Sequence, residues 1–436
     1  MKLTVHSGRP LRGEAIVPGD KSLSHRASLF SALAEGESVI DRFLVSGVTR
    51  AMLDALTAMG VAWQVKGERL TICGSGLNGL RKPLAPLDCR NSATTIRMLA
   101  GAVAAAGIDA TLDGSAGLRR RPMDRIAEPL RLMGVEITAA PNGGAPLHLH
   151  GRLPDQPLRA VDYTLPVASA QVKSCLLLAA LAAEGPTTIR EPGPSRDHTE
   201  RMLRAMGVRI ENPAPNVVVL HPPSTPLRPL RLQLAGDISA AAFLIVAALV
   251  TPGSEIVIRD VGLNPTRTGL LDALRAMGAD IRERNLRDWS GEPVGDLVVH
   301  HSPLRGTRVA GELVVRMIDE FPVFAAAAAL ADGVTEVREA EELRHKESDR
   351  ITAVAHEFQA IGAKIEPLPD GFRVTGGRVA GGAVNPHGDH RIAMSCAVAG
   401  LAAQAPVTID GAEILHESFP TFRETLIALG AKVECK

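Results

Sequence analysis

The chain has 436 residues, which is long for a single core and predicts at least two domains. Its 48 basic and 48 acidic side chains cancel and only 3% of residues are aromatic, so neither nucleic acid nor a membrane surface is expected as a partner. Five widely spaced cysteines predict free thiols and a cytoplasmic location. The apolar runs 240–250 and 323–330 are too short to span a bilayer.

A sixfold internal repeat organises the chain. Each copy contains an amphipathic helix that ends in Met, Ile or Leu followed by Gly, a residue suited to the left-handed end of a helix. The six glycines are Gly60, Gly134, Gly207, Gly278, Gly362 and Gly430. A short hairpin is predicted after each, most plainly at the turns Asn142-Gly143 and Asp370-Gly371. The sixth copy stops before its returning strand, and residues 2–5 are predicted to supply that strand.

A second helix in each copy is apolar on all sides and is therefore predicted to be buried. The predicted starts lie near Lys21, Asn91, Ser169, Asp237, Asp319 and Asp389, and the predicted ends at Gly36, Gly107, Gly185, Gly253 and Gly333. Three copies per domain assign residues 20–234 to one lobe and residues 1–19 with 235–436 to the other. The predicted fold is α/β, with two similar lobes of three βαβαββ repeats around buried parallel helices (an inside-out α/β barrel).

Charged and hydrogen-bonding side chains gather at these predicted helix starts, where unpaired N–H groups and the helix dipole favour an anion. The first is Pro18-Gly19-Asp20-Lys21-Ser22-Leu23-Ser24-His25-Arg26. The others carry Asn91, Ser92, Thr94, Arg97, Ser169, Gln171, Lys173, Asp237, Asp319, Glu320, Asp389, His390 and Arg391, and loops add 119–122, 195–198 and 344–350. The pattern predicts a small polyanionic ligand between the lobes.

Simpler explanations exist for single residues, because a lone serine at a helix start is typical of a cap and an arginine run is typical of solvated surface. Neither an ATP phosphate loop nor a dinucleotide fingerprint occurs, so no cofactor is expected. The histidines lack the spacing of metal ligands, so no metal is expected either.

Six motifs together resemble a known family over essentially the whole chain. They are Gly19-Asp20-Lys21-Ser22-Leu23-Ser24-His25-Arg26, Asn91-Ser92-Ala93-Thr94-Thr95-Ile96-Arg97, Arg120-Arg121-Pro122, Ser169-Ala170-Gln171, Lys346-Glu347-Ser348-Asp349-Arg350 and Gly388-Asp389-His390-Arg391. The chain closely resembles the 5-enolpyruvylshikimate-3-phosphate synthases of the enolpyruvyl transferase family. The resemblance implies transfer of the enolpyruvyl group of phosphoenolpyruvate to shikimate 3-phosphate, on the shikimate route to chorismate and the aromatic amino acids. It also implies a monomer.

Position by position, the resemblance implies that shikimate 3-phosphate is held by Lys21, Ser22, Arg26, Ser169, Ala170, Gln171, Arg196, Asp319 and Lys346. It implies that phosphoenolpyruvate is held by Lys21, Ala93, Arg121, Gln171, Arg350 and Arg391. Asp319, Glu347 and Lys21 are then the catalytic residues: Asp319 lies beside the sugar hydroxyls and Glu347 beside the enol methylene.

Two positions depart from the family pattern. Ala93 replaces the glycine of many members, as in variants classed as glyphosate-insensitive, and its methyl group is expected to hinder close approach to the phosphoenolpyruvate site. Glu417 replaces a lysine, so position 417 is left out of the predicted site.

Three alternatives compete with this interpretation. The sister enzyme that uses UDP-N-acetylglucosamine has a Cys before its Arg-Pro pair and an Asn after its Lys, whereas residues 114–122 lack Cys and Ser22 follows Lys21. A non-catalytic sugar-phosphate-binding repeat protein has no use for two acids that repel its ligand. A nucleic-acid-end enzyme is disfavoured by the neutral charge and the few aromatic residues.

Overall fold

The computed structural model describes residues 1–153 and 156–436, and this chain divides into two compact units. The terminal unit comprises Met1–Pro18, Ala235–Asp288 and Pro293–Lys436, and the central unit comprises Gly19–Leu234 with Trp289–Glu292. Two details differ from the predicted lobes, because Gly19 and the hairpin tip Trp289–Glu292 group with the central unit. Within that unit, His198 Nδ1 lies 2.7 Å from Glu292 Oε1, and Arg201 donates to the carbonyl oxygen of Gly291 at 2.6 Å.

The chain begins with two strands of the terminal unit, β1 (Lys2–His6) and β2 (Arg12–Ile16). The first repeat of the central unit contains α1 (Lys21–Leu33), β3 (Glu35–Asp41), α2 (Gly47–Ala58), β4 (Ala62–Lys66) and β5 (Arg69–Ser75). The second contains β6 (Leu87–Asp88), α3 (Ala93–Ala106), β7 (Ala110–Asp113), α4 (Ala116–Arg119), α5 (Asp124–Leu132), β8 (Ile137–Thr138) and β9 (Leu147–Leu149). The third contains β10 (Asp162–Thr164), α6 (Ala170–Ala180), β11 (Thr187–Arg190), α7 (His198–Ala205), β12 (Ile210–Glu211) and β13 (Val217–Leu220), and β14 (Arg231–Gln233) follows.

The terminal unit continues with α8 (Ile238–Val250), β15 (Glu255–Gly262), α9 (Gly269–Ala276), β16 (Asp280–Trp289) and β17 (Glu292–His300). Its next repeat contains β18 (Arg308–Val309), α10 (Glu312–Arg316), α11 (Phe321–Ala329), β19 (Val334–Val337), α12 (Arg350–Ala360), β20 (Lys364–Leu368) and β21 (Gly371–Thr375). The last contains β22 (Gly382–Val384), α13 (His390–Gly400), β23 (Val407–Asp410), α14 (Phe422–Ala428) and β24 (Lys432–Cys435).

Six four-stranded sheets share one pattern of strand order. The orders are β14-β3-β5-β4, β6-β7-β9-β8 and β10-β11-β13-β12 in the central unit, and β2-β15-β17-β16, β18-β19-β21-β20 and β22-β23-β1-β24 in the terminal unit. The first two strands of each are parallel and the third is antiparallel to the second. In the last sheet, Leu3 pairs with Ile409 and Cys435, which confirms that the N-terminal strand completes the sixth repeat.

Three buried helices pack together inside each unit: α1, α3 and α6 in one, and α8, α11 and α13 in the other. Small residues permit this close packing. A Cβ on Gly101 in α3 would overlap the carbonyl oxygen of Cys175 in α6, so only glycine allows these two helices to approach as they do. Each unit has its own apolar core. In the described part of the chain, no helix is long and apolar enough to cross a membrane.

Glycines end the amphipathic helices but mostly do not end the buried ones. The six repeat glycines have φ between +85° and +103°, as expected for left-handed helix ends. Of the five glycines predicted to end buried helices, only Gly107 is a left-handed cap. Gly36 lies inside β3, because α1 ends at Leu33 and the extended Ala34 leads directly into the strand. Gly185, Gly253 and Gly333 lie in the connections beyond the ends of their helices.

Candidate active site

Side chains cap the starts of five of the six buried helices. Each cap accepts a hydrogen bond from a backbone N–H of the first turn; the residues are Asp20, Ser92, Ser169, Asp237 and Asp389. The simpler interpretation of Ser92 and Ser169 therefore holds for their hydroxyl groups. The exception is α11, which begins at Phe321-Pro322 without a side-chain cap. Asp319 lies just before this start and pairs with cations instead.

Hydrogen bonds join the starts of α1, α3 and α6 in the central unit. His25 Nδ1 donates to the carbonyl oxygen of Lys21 at 2.8 Å, and His25 Nε2 lies 3.4 Å from Ser92 Oγ. Arg97 donates to Gln171 Oε1 at 2.7 Å, and Gln171 Nε2 donates to Thr94 Oγ1 at 2.9 Å. The structure thus brings together residues that the sequence predicted at separate helix starts.

Arg26 lies deep in this region, with 2% of its surface exposed. Its guanidinium group donates to Thr199 Oγ1 and Ser174 Oγ, each at 2.8 Å, and to the carbonyl oxygen of Ser22 at 3.1 Å. Arg196 Nη1 donates to Ser22 Oγ at 3.1 Å. Ser22 is therefore the residue through which α1 and the loop before α7 meet.

Lys173, which the sequence counted among the cations at the predicted helix starts, is enclosed by two carboxylates. Its Nζ lies 2.7 Å from Glu191 Oε2 and 2.7 Å from Glu200 Oε1, and the three side chains are each 2% exposed. Burial acts to lower the pKa of Lys173, but the attraction of Glu200 and Glu191 outweighs it and raises that pKa. Burial raises the pKa of Glu191. This buried cluster ties α6 to α7 and to Glu191, which lies just before the Arg196 loop.

The three consecutive arginines have different surroundings. Arg119 is exposed and pairs with Asp113 at 2.5 Å, and Arg120 is also exposed. Arg121 is buried, with 7% of its surface exposed, and its backbone N–H donates to the carbonyl oxygen of Leu118. Of the three, only Arg121 is thus part of the interior of the unit.

Asp319 is the centre of a charged cluster in the terminal unit. Its Oδ1 lies 3.1 Å from Lys346 Nζ and 3.6 Å from Arg350 Nη1, and its Oδ2 lies 4.0 Å from Arg391 Nη2. The aspartate side chain remains 18% exposed, whereas Arg350 and Arg391 are buried. The carboxylate is therefore oriented by cations and still accessible.

Arg350 connects this carboxylate to two others. Its Nε donates to Asp389 Oδ2 and its Nη2 to Glu347 Oε2, both at 2.8 Å. Burial acts to lower the pKa of Arg350, but Asp389, Glu347 and Asp319 outweigh it and raise that pKa. Burial likewise acts to raise the pKa of Asp389, but Arg350 holds it below its usual range. Glu347 is 23% exposed, so it combines a fixed cationic partner with access from solvent.

Arg267 and Ser239 join this cluster although sequence reasoning missed them. Arg267 Nη2 donates to Asp237 Oδ1 at 3.1 Å and to Ser239 Oγ at 2.9 Å, and Ser239 Oγ donates to Glu320 Oε1. Arg267 lies in the loop before α9 rather than at the start of a buried helix, so the sequence pattern gave no signal for it. Ser239 follows the cap Asp237, and only its buried contacts distinguish it.

The two units differ in charge, which the sequence did not predict. The terminal-unit cluster contains four cations (Arg267, Lys346, Arg350 and Arg391) and five carboxylates (Asp237, Asp319, Glu320, Glu347 and Asp389). In the central unit, the starts of α1 and α3 carry Lys21, Arg26 and Arg97 with the cap Asp20, and two loops carry Arg121 and Arg196. The groups named in the central unit are therefore mostly cationic, whereas those in the terminal unit include an excess of carboxylates.

Comparisons with solved structures show which known proteins share the fold of this chain. The chain shares its fold with the enolpyruvyl transferase NikO from Streptomyces tendae, with a TM-score of 0.78 and 21% identity over 99% of this chain and 98% of that one. It aligns with the structure of EPSP synthase from Acinetobacter baumannii with a TM-score of 0.87 and 42% identity, covering both chains completely.

The family assignment follows from the sequence relatives. The model of the EPSP synthase (3-phosphoshikimate 1-carboxyvinyltransferase) family matches residues 5–426. The 3-phosphoshikimate 1-carboxyvinyltransferase of Geobacter sulfurreducens is 49% identical over 98% of each chain. That of Halorhodospira halophila is 48% identical over 99% of this chain and 96% of its own. The chain belongs to the EPSP synthase family.

His25 predicts a pH dependence of stability. Burial, together with the charges of Lys21 and Arg26, lowers the pKa of His25 from its ordinary value of 6.5 to about 4. Between these values the unfolded chain binds a proton that the folded chain does not, so the free energy of unfolding falls as the pH falls. The expected loss is up to about 3 kcal/mol between pH 6.5 and pH 4. Urea unfolding at several pH values in this range gives the free energy of unfolding at each pH. This free energy should change less with pH in His25→Gln than in the exposed control His416→Gln. Equal slopes would contradict the assignment.

Proposed function

We propose that this chain transfers the enolpyruvyl group of phosphoenolpyruvate to the 5-hydroxyl of shikimate 3-phosphate and releases inorganic phosphate. Family membership supports the reaction. The observation that carries the proposal is the pair of partly exposed carboxylates, Asp319 and Glu347, each within 3.1 Å of a cationic partner. A protein that only bound anions would have no use for these acids.

In this proposal shikimate 3-phosphate is held by Lys21, Ser22, Arg26, Ser169, Ala170, Gln171, Arg196, Asp319 and Lys346. Arg26 also donates to the carbonyl oxygen of Ser22 and so fixes the position of that residue. Support comes from the hydrogen bond between Arg196 and Ser22 at 3.1 Å, which aligns a cation with a hydroxyl as a phosphate requires.

Phosphoenolpyruvate is held by Lys21, Arg121, Arg350 and Arg391, with Ala93 and Gln171 against it. Arg350 and Arg391 are buried and fixed by carboxylates, so their orientation costs little when the ligand binds. Their charge stabilises the phosphate as it leaves.

The reaction proceeds by addition and then elimination. Asp319 accepts the proton of the 5-hydroxyl while the hydroxyl oxygen bonds to C2 of phosphoenolpyruvate. At the same time Glu347 donates a proton to C3, which becomes a methyl group. The resulting tetrahedral ketal then loses a methyl proton to Glu347 as the C–O bond to phosphate breaks and the double bond re-forms, and Asp319 gives the proton taken from the 5-hydroxyl to the leaving phosphate. Lys21 shares in these proton transfers. Both halves require an acid/base pair positioned within hydrogen-bond reach of the reacting atoms.

To test the reaction, tag-free protein is mixed with phosphoenolpyruvate and either shikimate 3-phosphate or UDP-N-acetylglucosamine. The inorganic phosphate released in each mixture is then measured. Release with shikimate 3-phosphate and none with UDP-N-acetylglucosamine is the expected result. Release only with the nucleotide sugar would assign the sister reaction. Binding of shikimate 3-phosphate without release from either mixture would instead indicate a binding protein and overturn the proposed roles of Asp319 and Glu347.

Ala93 predicts reduced sensitivity to glyphosate, given this function. The residue begins α3 and is 6% exposed, so its methyl group occupies space beside the proposed phosphoenolpyruvate position. Ala93→Gly removes that group, and the inhibition constant of glyphosate at fixed phosphoenolpyruvate is expected to fall at least tenfold. Ala116→Gly is the control, because Ala116 also begins a helix behind a serine cap. An unchanged constant in Ala93→Gly would contradict the steric explanation.

We also propose that the chain acts as a cytoplasmic monomer that needs neither cofactor nor metal for turnover. The five cysteines are free, and Cys89, Cys175 and Cys396 are buried, which is typical of a reducing compartment. Burial raises the pKa of these three thiols and keeps them protonated. Light scattering of the purified protein at working concentration gives its molar mass and so tests the proposed monomeric state.

A further inference from the structure

A buried glutamate outside the proposed site lies between two exposed histidines. Glu357 in α12 is 2% exposed, whereas the side chains of His356 and His387 are 70% and 55% exposed. Glu357 Oε1 lies 2.8 Å from His356 Nδ1 and 3.1 Å from His387 Nε2. Sequence spacing gave no indication of this cluster, because His387 is 30 residues from Glu357 and only the fold brings it there.

The carboxylate of Glu357 is held in place from its other side. Its Oε2 accepts a hydrogen bond from the backbone N–H of Asn385 at 2.8 Å. In the described part of the chain, Glu357 pairs with these two imidazoles and with no lysine or arginine. A buried carboxylate without a permanent cationic partner favours a bound cation.

The spacing of the three atoms fits a shared metal ion. Two ligand atoms that each lie about 2.1 Å from one metal are separated by about 3.0 Å at an octahedral edge and about 3.4 Å at a tetrahedral edge. Glu357 Oε1 lies 2.8 Å from the nitrogen of His356 and 3.1 Å from that of His387, and both distances are close to an octahedral edge. All three donor atoms lie within 4.8 Å of one another.

We propose that His356, Glu357 and His387 bind a divalent first-row transition metal such as Zn²⁺ or Co²⁺. Two imidazole nitrogens and one carboxylate oxygen select such ions over Mg²⁺ and Ca²⁺, which prefer oxygen ligands. The bond from Asn385 fixes the carboxylate as supporting hydrogen bonds do in metal sites. The exposed imidazoles leave coordination positions for water and a path for entry.

The position of this site gives it a structural consequence. His387 has a φ of +50° and lies two residues before Asp389, the cap of α13 and partner of Arg350. A bound metal would fasten the segment 385–388 to α12. It would thereby stabilise the loop that leads to Asp389 and Arg391 in the terminal unit.

A second cluster of similar composition provides a matched control. Asp109, His148 and His150 in the central unit also bring three donor atoms within 4.8 Å of one another. Asp109 Oδ1 already pairs with Lys82 Nζ at 3.0 Å, so a metal would have to displace or repel that ammonium group. This cluster is therefore the weaker candidate, and His148→Gln is the appropriate control variant.

The test uses tag-free full-length protein that has been freed of metal with a chelator. Equilibrium dialysis against Zn²⁺ counts bound equivalents, and the visible absorption of added Co²⁺ reports imidazole and carboxylate ligation. Wild type and His148→Gln are each expected to bind one equivalent of metal ion. In both His387→Gln and His356→Gln this binding is expected to be lost or weakened at least tenfold. Thermal unfolding of the metal-free variants checks that they fold.

Binding that is absent from wild type, or unchanged in His387→Gln, would overturn the proposal and leave these residues as a hydrogen-bonded clamp. Loss of the bound metal in His148→Gln alone would place the site at the Asp109 cluster and also overturn it. Because the measurement counts metal rather than turnover, its outcome is independent of the proposed transferase reaction.

Discussion

Replacing Glu347 by Gln is expected to lower kcat by about 10²–10⁴-fold while the dissociation constant of shikimate 3-phosphate changes little. The amide keeps the shape of the carboxylate and can still accept a hydrogen bond from Arg350, which now lies 2.8 Å from Glu347 Oε2. It cannot exchange a proton with the methylene carbon. The buried Arg350 retains Asp389 as a partner, so its orientation should survive the change.

Phosphate release gives kcat, and calorimetric titration gives the dissociation constant. Glu341→Gln is the matched control, because this exposed acid lies in the same segment before α12. Asp319→Asn should show a loss similar to that of Glu347→Gln, since both acids are needed in each half of the reaction. Turnover near that of wild type in Glu347→Gln would remove its proposed role, whereas weakened binding with intact kcat would make it a binding residue.

Replacing Lys173 by Met is expected to destabilise the central unit by about 3–5 kcal/mol, because it leaves Glu191 and Glu200 buried without their shared cation. Both carboxylates lie 2.7 Å from Lys173 Nζ, and all three side chains are almost fully buried. For a unit of this size the loss corresponds to a fall in Tm of roughly 10 °C. Thermal unfolding followed by circular dichroism measures it.

Two further variants separate the buried charge from a general loss of packing. Lys82→Met removes a lysine that is 68% exposed and pairs with Asp109, and this change should cost less than about 1 kcal/mol. Combining Lys173→Met with Glu191→Gln and Glu200→Gln removes the uncompensated charges and should restore more than half of the lost stability. A Lys173→Met protein as stable as wild type would show that the cluster contributes nothing.

The sequence alone determined the repeat, the buried helices and the strand that closes the last sheet. These features follow from local causes: glycine after an amphipathic helix, an apolar helix with a capping residue, and a β-rich segment near the N-terminus. The pairing of Leu3 with Ile409 and Cys435 could be predicted because one repeat lacked a strand and one segment lacked a partner. Most of the predicted site residues were found at the predicted helix starts and in the charged loops. The resemblance added Ala93 and Ala170 and implied the role of each residue.

Only the tertiary structure decided which charged groups face each other. Lys173 was counted among the cations at the predicted helix starts and instead lies between Glu191 and Glu200, because the fold places α7 and the residue after β11 against its side of α6. Arg267 joins the cluster from a loop, and His387 reaches Glu357 from 30 residues away. Burial and pairing depend on distances between segments remote in sequence. Those distances set which carboxylates carry protons, which cations are fixed and where a metal can bind.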